Sequence, residues 1–209
     1  MSTYPIELKL TGRTVLVVGL GPVGRRKAEA LSATGAHVVG VDPAAASLGP
    51  SLLEAIELVS EPYQAEQLRG VSLAVAAGPP EVNRQVVADA RKAGVWVCST
   101  SDPEAGDFTI PAVRRAGPLT LTVSTSGASP ALAAALRDRA ATALGPAAIG
   151  LTALAAELRP IVLERLPDPL ARRRIMREWA HPRWLSLWID QGPDAVRQAL
   201  WRRIEEEAM

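Results

Sequence analysis

The N-terminal half of the chain alternates short apolar runs with longer stretches in which apolar side chains recur at helical spacing. Short runs bounded by turn residues predict buried strands, and the longer stretches predict amphipathic helices. Strands that alternate with helices are typical of an α/β fold in which helices cover both faces of a parallel sheet. The predicted strands are residues 15–18, 37–41, 56–59, 72–76 and 95–97, and the predicted helices are residues 23–33 and 81–93.

This alternation ends after residue 97. Residues 98–107 are polar and follow a predicted strand, so they form either a plain loop or one wall of an active site. A strand of alternating pattern is predicted at residues 119–124. Ser129 and Pro130 then predict the start of a helix that runs to residue 143, because serine is a good cap and proline suits the first helical position.

The C-terminal part is predicted to be helical. Prolines at positions 146, 160 and 167 are expected to divide it into separate helical pieces. It also contains four of the five tryptophans, whose helical spacing indicates packing in a core rather than stacking on a ligand. These are Trp179, Trp184, Trp188 and Trp201.

A glycine-rich turn directly follows the first predicted strand. Its sequence, Gly19-Leu20-Gly21-Pro22-Val23-Gly24, has the G-x-G-x-x-G spacing of a dinucleotide-binding Rossmann unit. Gly19 permits a tight turn, Gly21 lets a pyrophosphate approach the backbone, and Gly24 lets the helix pack against the sheet. The phosphates would lie on the helix N-terminus. A glycine-rich turn in some other α/β protein is the alternative.

Two further positions at predicted strand ends suit a dinucleotide. Asp42 ends the second strand, about 20 residues beyond the glycines, where an acidic side chain binds the adenosine ribose hydroxyls of NAD and should repel the 2′-phosphate of NADP. Residues 76–80, with sequence AAGPP, end the fourth strand. Ligands of open α/β sheets lie outside the carboxyl ends of the strands, so this turn is predicted to lie beneath the nicotinamide half of the bound dinucleotide.

Composition restricts the class of protein. The 209 residues are 48% hydrophobic with a net charge of +1, which is typical of a soluble globular chain. The apolar runs are shorter than the roughly 18 residues of a membrane helix, and no secretory signal is visible, which favours the cytoplasm. The single cysteine, Cys98, excludes an internal disulfide framework and a cysteine-cluster metal site.

Charge is unevenly distributed. Residues 1–109 hold 9 basic and 12 acidic side chains, whereas residues 110–209 hold 14 and 10, and all 14 are arginine. The asymmetry is too small to predict nucleic-acid binding. The preference for arginine indicates bidentate contacts with carboxylates or phosphates, or a GC-rich coding sequence.

Longer sequence segments identify a family. The chain resembles precorrin-2 dehydrogenase, which also forms the N-terminal half of sirohaem synthase, over roughly residues 4–145. An ordinary Rossmann domain has no reason to carry the later segments in this order. The segments are YPI (4–6), LTGR (10–13), GLGPVGRRKAEAL (19–31), EVN (81–83), DPE (102–104), DFTIPA (107–112), GPL (117–119) and STSGASP (124–130).

The resemblance implies a three-part homodimeric enzyme. An NAD-binding domain (1–109) would precede a small α+β dimerisation region (110–145) and a helical C-terminal region (146–209). The family oxidises precorrin-2 to sirohydrochlorin with NAD, for sirohaem or in some organisms cobalamin, and some members insert iron into the product. By similarity, Pro22 and Val23 would contact the pyrophosphate, Asp42 and Pro43 the adenosine ribose, and Ala77 and Gly78 the nicotinamide half.

The substrate that this family uses bears eight carboxylates. Arginines and backbone donors are the groups that bind carboxylates bidentately, so a cleft for this substrate needs several of them. Arg114, Arg115 and Arg137 are the candidates, with Arg139 also near the matched segments. The alternative is that most of them are solvated charges on the surface.

The chain departs from the family at its catalytic position. Aligned through Pro103, the family's aspartate falls on Ser101 and its asparagine on Cys98. Asp102 is adjacent and could substitute if the loop turns differently. Thr125 matches a position where some relatives have an active-site serine, or it caps the next turn.

This departure affects the two family activities unequally. Hydride transfer depends mainly on holding the substrate against the nicotinamide and is expected to survive. Iron insertion needs a group that receives pyrrole protons or ligates the metal, so we expect it to survive less readily than hydride transfer. We predict no resident metal site.

A homologue that keeps NAD and acts as a binding or sensing module is the alternative to an enzyme. An unrelated Rossmann dehydrogenase would leave residues 117–130 unexplained.

Overall fold

The computed structural model describes residues 3–45 and 56–209, and the chain divides into two units, Met1–Ile110 and Pro111–Met209. The first unit contains a five-stranded parallel sheet in the order β3-β2-β1-β4-β5. This confirms the predicted α/β architecture. The strands are β1 (Thr14–Val18), β2 (His37–Val41), β3 (Glu57–Val59), β4 (Leu73–Ala76) and β5 (Trp96–Ser99), and the helices are α1 (Pro22–Ser32) and α2 (Pro80–Ala93).

Apolar side chains of the central strands pack on both faces of this sheet. Val15 and Val17 of β1 belong to the cluster that contains Ala28 of α1. The intervening Leu16 belongs to the opposite cluster, which contains Val86 of α2. Such strands read as continuous apolar runs because neither face meets water. The chain order reverses between β1 and β4, and in open sheets this reversal opens a crevice at the carboxyl ends of the two strands.

Strand β5 is longer than predicted. Cys98 and Ser99 pair with Val75 and Ala76, so they belong to the sheet and not to the polar loop that the sequence suggested. The misassignment follows from the polarity of Ser99, which is nevertheless buried. Its hydroxyl oxygen accepts a hydrogen bond from the Asp102 N–H at 3.2 Å, which satisfies the buried group.

At Asp107 the chain again lies beside β5, the last strand in the sheet order. Its backbone N–H donates to the Val97 carbonyl at 2.7 Å, and its carboxylate oxygen Oδ2 accepts from the Val97 N–H at 2.9 Å. Between Asp102 and Asp107, residues Pro103–Ala105 form a short 3₁₀ turn. Residues 100–107, which we call the strap, are thus ordered and held against β5 by Asp107.

The second unit starts with an antiparallel hairpin, β6 (Ala112–Ala116) and β7 (Leu119–Val123). Strand β6 was not predicted, because its two consecutive arginines break the apolar alternation. Gly117 in the connecting turn has a φ of +55°, a left-handed conformation that suits glycine.

Helix α3 (Pro130–Arg165) follows the hairpin. The predicted cap is confirmed, because the Ser129 side chain accepts from the Leu132 N–H at 3.2 Å. Gly145 inside this element has non-helical torsion angles, with a φ of +66°, so α3 consists of two helical pieces. The predicted helix end near residue 143 and the predicted division at Pro146 are therefore confirmed. Pro160 lies inside the second piece, so the expectation that this proline separates two helices was wrong.

Three shorter helices complete the second unit: α4 (Pro169–Glu178), α5 (Arg183–Gln191) and α6 (Pro193–Ala208). Trp184 is 4% exposed in the apolar cluster that they form with the second half of α3. Trp179, Trp188 and Trp201 are partly buried against the same cluster. The tryptophans therefore pack in a core, as their spacing indicated.

Helix α3 also meets the length and composition criteria of a membrane span. Its most apolar 18-residue window has a mean hydropathy of 1.4 and is 22% buried. Polar residues and prolines interrupt the apolar residues of this helix, so no uninterrupted apolar run marks it in the sequence. Core helices of soluble proteins meet the same criteria.

Candidate functional site

The glycine turn after β1 has the close contacts that its spacing predicts. Gly19 has a φ of +88°, and a Cβ atom there would lie 2.5 Å from the Gly78 Cα. A Cβ on Gly24 would overlap the Gly19 carbonyl oxygen. By contrast, a Cβ on Gly21 would have no atom within 4 Å. Gly19 and Gly24 thus allow backbone packing, whereas Gly21 leaves open space at the N-terminus of α1.

Asp42 is tied to this turn. Its carboxylate oxygen Oδ2 accepts from the Leu20 N–H at 2.7 Å, and Oδ1 accepts from the Ala44 N–H at 2.8 Å. Each carboxylate oxygen can accept a second hydrogen bond, so the group can still receive ribose hydroxyls. The acid is therefore fixed at the carboxyl end of β2 beside the glycine turn. Pro43, the other predicted ribose contact, follows it directly.

Asn83 of α2 is a site residue that the sequence did not single out by itself. It is 1% exposed, and its side-chain oxygen accepts from the Gly78 N–H at 2.9 Å. Its Nδ2 donates to the Gly78 carbonyl and to the Ser101 hydroxyl oxygen, both at 2.9 Å. The sequence signal that could have identified Asn83 is its position: it is a polar residue on the apolar face of the predicted helix, next to Val82 and three residues before Val86.

The candidate catalytic residues of the strap are exposed. Ser101 lies within hydrogen-bond reach of Asn83 and 3.5 Å from the Ser99 hydroxyl. Both neighbours are neutral, and no carboxylate or imidazole in residues 3–45 and 56–209 makes a hydrogen bond to it. Asp102 precedes the 3₁₀ turn without a capping hydrogen bond from its side chain, and its N–H donates to the Ser99 hydroxyl oxygen. The structure thus brings Ser101, and not Asp102, within hydrogen-bond distance of Asn83, the side chain that binds Gly78.

Cys98, which the sequence aligns with the family's asparagine, is buried at the end of β5. Burial raises the pKa of its thiol, an effect that the nearby Lys27 ammonium partly opposes. Burial also lowers the pKa of Lys27. Since the thiolate is the nucleophilic form, a thiol with a raised pKa is a packing group rather than a reactive one.

The site candidates of the second unit lie on the hairpin, in the turn that follows it and on α3. Thr125 Oγ1 accepts from the Ser129 N–H at 3.1 Å and donates to the Ser129 carbonyl at 3.0 Å, so it caps the turn before α3. Arg114 and Arg115 are neighbours on β6, and neighbouring strand residues point to opposite faces. Arg137 pairs with Asp138 at 2.8 Å.

One of these arginines, Arg114, lines a cavity of about 390 Å³ between the hairpin and α3. The cavity is mainly apolar, with Leu119, Leu121 and Ile149 among its walls and Asp138 as its acidic group. The substrate roles predicted for the arginines remain predictions.

Known proteins match both regions of the chain. A family model described as putative NAD(P)-binding matches residues 6–112, which contain the glycine turn, Asp42 and Asn83. The chain belongs to this family. A second model, described as sirohaem biosynthesis protein central, matches residues 116–139. The predicted resemblance is therefore confirmed in both regions.

Curated relatives of this NAD(P)-binding chain are longer proteins. The siroheme synthase of Chromobacterium violaceum is 40% identical over 178 residues, which are 83% of this chain and 38% of that protein. The siroheme synthase of Methylobacillus flagellatus is 38% identical, with the same shares of each chain covered. The chain thus spans about two fifths of the length of these relatives.

A solved structure shares the fold over nearly the whole chain. "SirC, precorrin-2 dehydrogenase" is 22% identical with a TM-score of 0.74, and the match covers 98% of this chain and 100% of that one. It supports the predicted combination of a Rossmann-type sheet, a small antiparallel hairpin and a helical C-terminal region.

Proposed function

We propose that this chain is an NAD-dependent dehydrogenase that oxidises precorrin-2 to sirohydrochlorin. The observation that best supports this proposal combines two features. The dinucleotide turn is complete and leaves open space beside Gly21, and residues 116–139 match the sirohaem biosynthesis family model. The names of the siroheme synthases and of the structural neighbour support the same substrate. Sirohaem synthesis, or cobalamin synthesis in some organisms, would consume the product.

The described residues fit NAD. Gly21, Pro22 and Val23 would hold the pyrophosphate at the N-terminus of α1, where unpaired N–H groups and the helix dipole favour an anion. Asp42 and Pro43 would hold the adenosine ribose, and Ala77 and Gly78 the nicotinamide half. When bound, NAD supplies the hydride acceptor. The role of the protein is to fix the substrate carbon beside it and to exclude water.

Substrate and subunit contacts form a second part of this proposal. We assign Arg114, Arg115 and Arg137 to substrate carboxylates, with Arg114 and Arg115 serving different faces of the hairpin. Leu132, Leu136 and Leu144 are exposed along the first half of α3, and we propose that a second copy of the chain covers them. The three-part division at residues 109 and 145 and a cytoplasmic location, without nucleic-acid or membrane partners, belong to the same proposal.

Iron insertion is not part of the primary proposal. Ser101 has neutral neighbours, and residues 3–45 and 56–209 contain no group of three potential metal-ligating His, Cys, Asp or Glu side chains. A neutral hydroxyl without a partner base is a poor acceptor for pyrrole protons at neutral pH. Asp102 and Thr125 are the remaining catalytic candidates.

The decisive experiment combines turnover with binding. Purified protein is incubated with NAD and enzymatically generated precorrin-2, and the absorption spectrum is followed. We expect conversion to sirohydrochlorin with one NADH formed per substrate oxidised. NAD binding by calorimetry without any spectral change would instead favour the sensing module that retains the coenzyme. Absence of both signals would contradict either function.

Coenzyme preference provides a further prediction. An Asp42→Asn variant is expected to lower the ratio of NADP Kd to NAD Kd about tenfold, or about 1.4 kcal/mol, because the charge that repels a 2′-phosphate is removed. The amide oxygen can still accept from the Leu20 N–H. Calorimetry with both coenzymes measures the ratio. Asp107→Asn, the same change at the sheet edge, is the control, and an unchanged ratio in Asp42→Asn would refute the assignment.

A further inference from the structure

We propose that Asn83 is a positioning residue that makes the Ser101 hydroxyl a hydrogen-bond donor to a carboxylate of the substrate, while it fixes the Gly78 turn. This inference rests on the proposed function and names how that site recognises its anionic substrate. It explains how a serine can serve at a place where a base would otherwise be expected.

The orientation of the Asn83 amide is fixed by the backbone. The Gly78 N–H can only donate, so the side-chain atom 2.9 Å from it must be the oxygen. The Gly78 carbonyl can only accept, so its partner must be the NH₂ group. A flipped amide would place like groups together at both contacts. Gly78 thus determines which Asn83 atom faces Ser101.

The remaining N–H of Asn83 then sets the direction of the next hydrogen bond. It donates to the Ser101 oxygen at 2.9 Å, so this oxygen is an acceptor and its hydroxyl proton remains available for another group. Ser99 lies at 3.5 Å, at the long limit of a hydrogen bond, and its oxygen already accepts from the Asp102 N–H. The Ser101 proton therefore has no strong internal acceptor among the described residues.

Position and exposure indicate the external acceptor. Ser101 is exposed and follows β5, while Gly78 follows the neighbouring β4, so both lie at the carboxyl edge of the sheet. Asn83 itself is buried and cannot contact a ligand directly. Carboxylates are the strongest acceptors in the proposed substrate, and hydrogen bonds to charged groups are about twice as strong as neutral ones. Ser101 would thus contact substrate and Asn83 would act through it.

A double-mutant cycle tests this chain of contacts. Ser101→Ala is expected to raise the KM for precorrin-2 about tenfold, with little change in kcat and none in NAD affinity. Asn83→Asp keeps the shape and the acceptor for the Gly78 N–H, but its second oxygen can only accept, so the Ser101 hydroxyl would donate to it and no longer to the substrate. It should raise KM similarly and also weaken NAD binding. In the Ser101→Ala background it should add less than twofold to KM.

The control is Thr100→Ala, which removes an exposed hydroxyl from the preceding position and should leave KM unchanged. Circular dichroism verifies that each variant is folded, and Ser101→Ala alone tests the donor if Asn83→Asp does not fold. Additive KM effects, or an unchanged KM in Ser101→Ala, would overturn the inference while wild-type turnover keeps the proposed function intact.

The same cycle can be measured without turnover. Uroporphyrin, a tetrapyrrole with eight carboxylates, serves as the probe, and quenching of tryptophan fluorescence gives its Kd. If wild-type protein binds it without oxidising precorrin-2, non-additive Kd changes support the donor role although the proposed activity fails. Wild-type protein that neither binds the probe nor turns over precorrin-2 would overturn both proposals.

Discussion

Replacing Gly24 with alanine is expected to abolish measurable NAD binding and to lower the free energy of unfolding of the first unit by about 3 kcal/mol. The new Cβ would overlap the Gly19 carbonyl oxygen and lie 2.9 Å from its carbonyl carbon. Alanine gains at most about 1 kcal/mol in helix propensity, which is too small to offset this overlap. The backbone of the turn cannot retreat freely, because Gly19 itself lies against Gly78.

Gly21→Ala is the matched control for this prediction. Its Cβ would meet no atom within 4 Å, so the free energy of unfolding should change by less than about 0.5 kcal/mol. NAD affinity should nevertheless fall, since the methyl group would occupy the space proposed for the pyrophosphate. Urea unfolding followed by circular dichroism and NAD calorimetry separate the two effects. A Gly24→Ala protein of wild-type stability would show that α1 tolerates a wider separation from the turn.

The second large effect is expected in the helical core. Trp184→Ala should lower the free energy of unfolding of the second unit by about 3–5 kcal/mol, because it empties a large buried site. It also removes the indole N–H that donates to the Glu178 carbonyl at 2.8 Å. Urea unfolding followed by the fluorescence of the remaining tryptophans measures the loss.

Trp96→Ala provides the comparison, since the Trp96 side chain is 51% exposed and its removal should cost less than about 1 kcal/mol. NAD affinity should be unaffected in Trp184→Ala at temperatures where the protein remains folded. If Trp184→Ala were as stable as wild type but lost tetrapyrrole affinity, ligand stacking would replace packing as the role of this residue.

The sheet was predictable because its signals are local. The strands of the first unit contain short apolar runs, and the predicted helices differ from α1 and α2 by no more than one residue at each end. Strand β6 could not be recognised in this way, since Arg114 and Arg115 hide its alternation and only its pairing with β7 defines it. Pro160 misled for a similar reason: packing of α3 against other helices overrides a local preference.

The site was predictable where its residues adjoin strand ends. The glycines directly follow β1 and Asp42 directly follows β2, so they meet at one edge because the two strands are parallel. The contact of Asn83 with Gly78 and Ser101 joins three separate segments and depends on the direction of side chains. Spacing does not encode that direction. The divergence of Arg114 and Arg115 follows only once β6 is known to be a strand, because neighbouring strand residues point to opposite faces.

Asp107 has a consequence for solubility. An open strand edge presents unpaired N–H and carbonyl groups on which another molecule's strand can add. Here one residue supplies both a backbone donor and a carboxylate acceptor to Val97, so a foreign strand would have to displace an anion before it could pair. The segment that carries Ser101 thus also keeps the backbone groups of Val97 from pairing with a foreign strand.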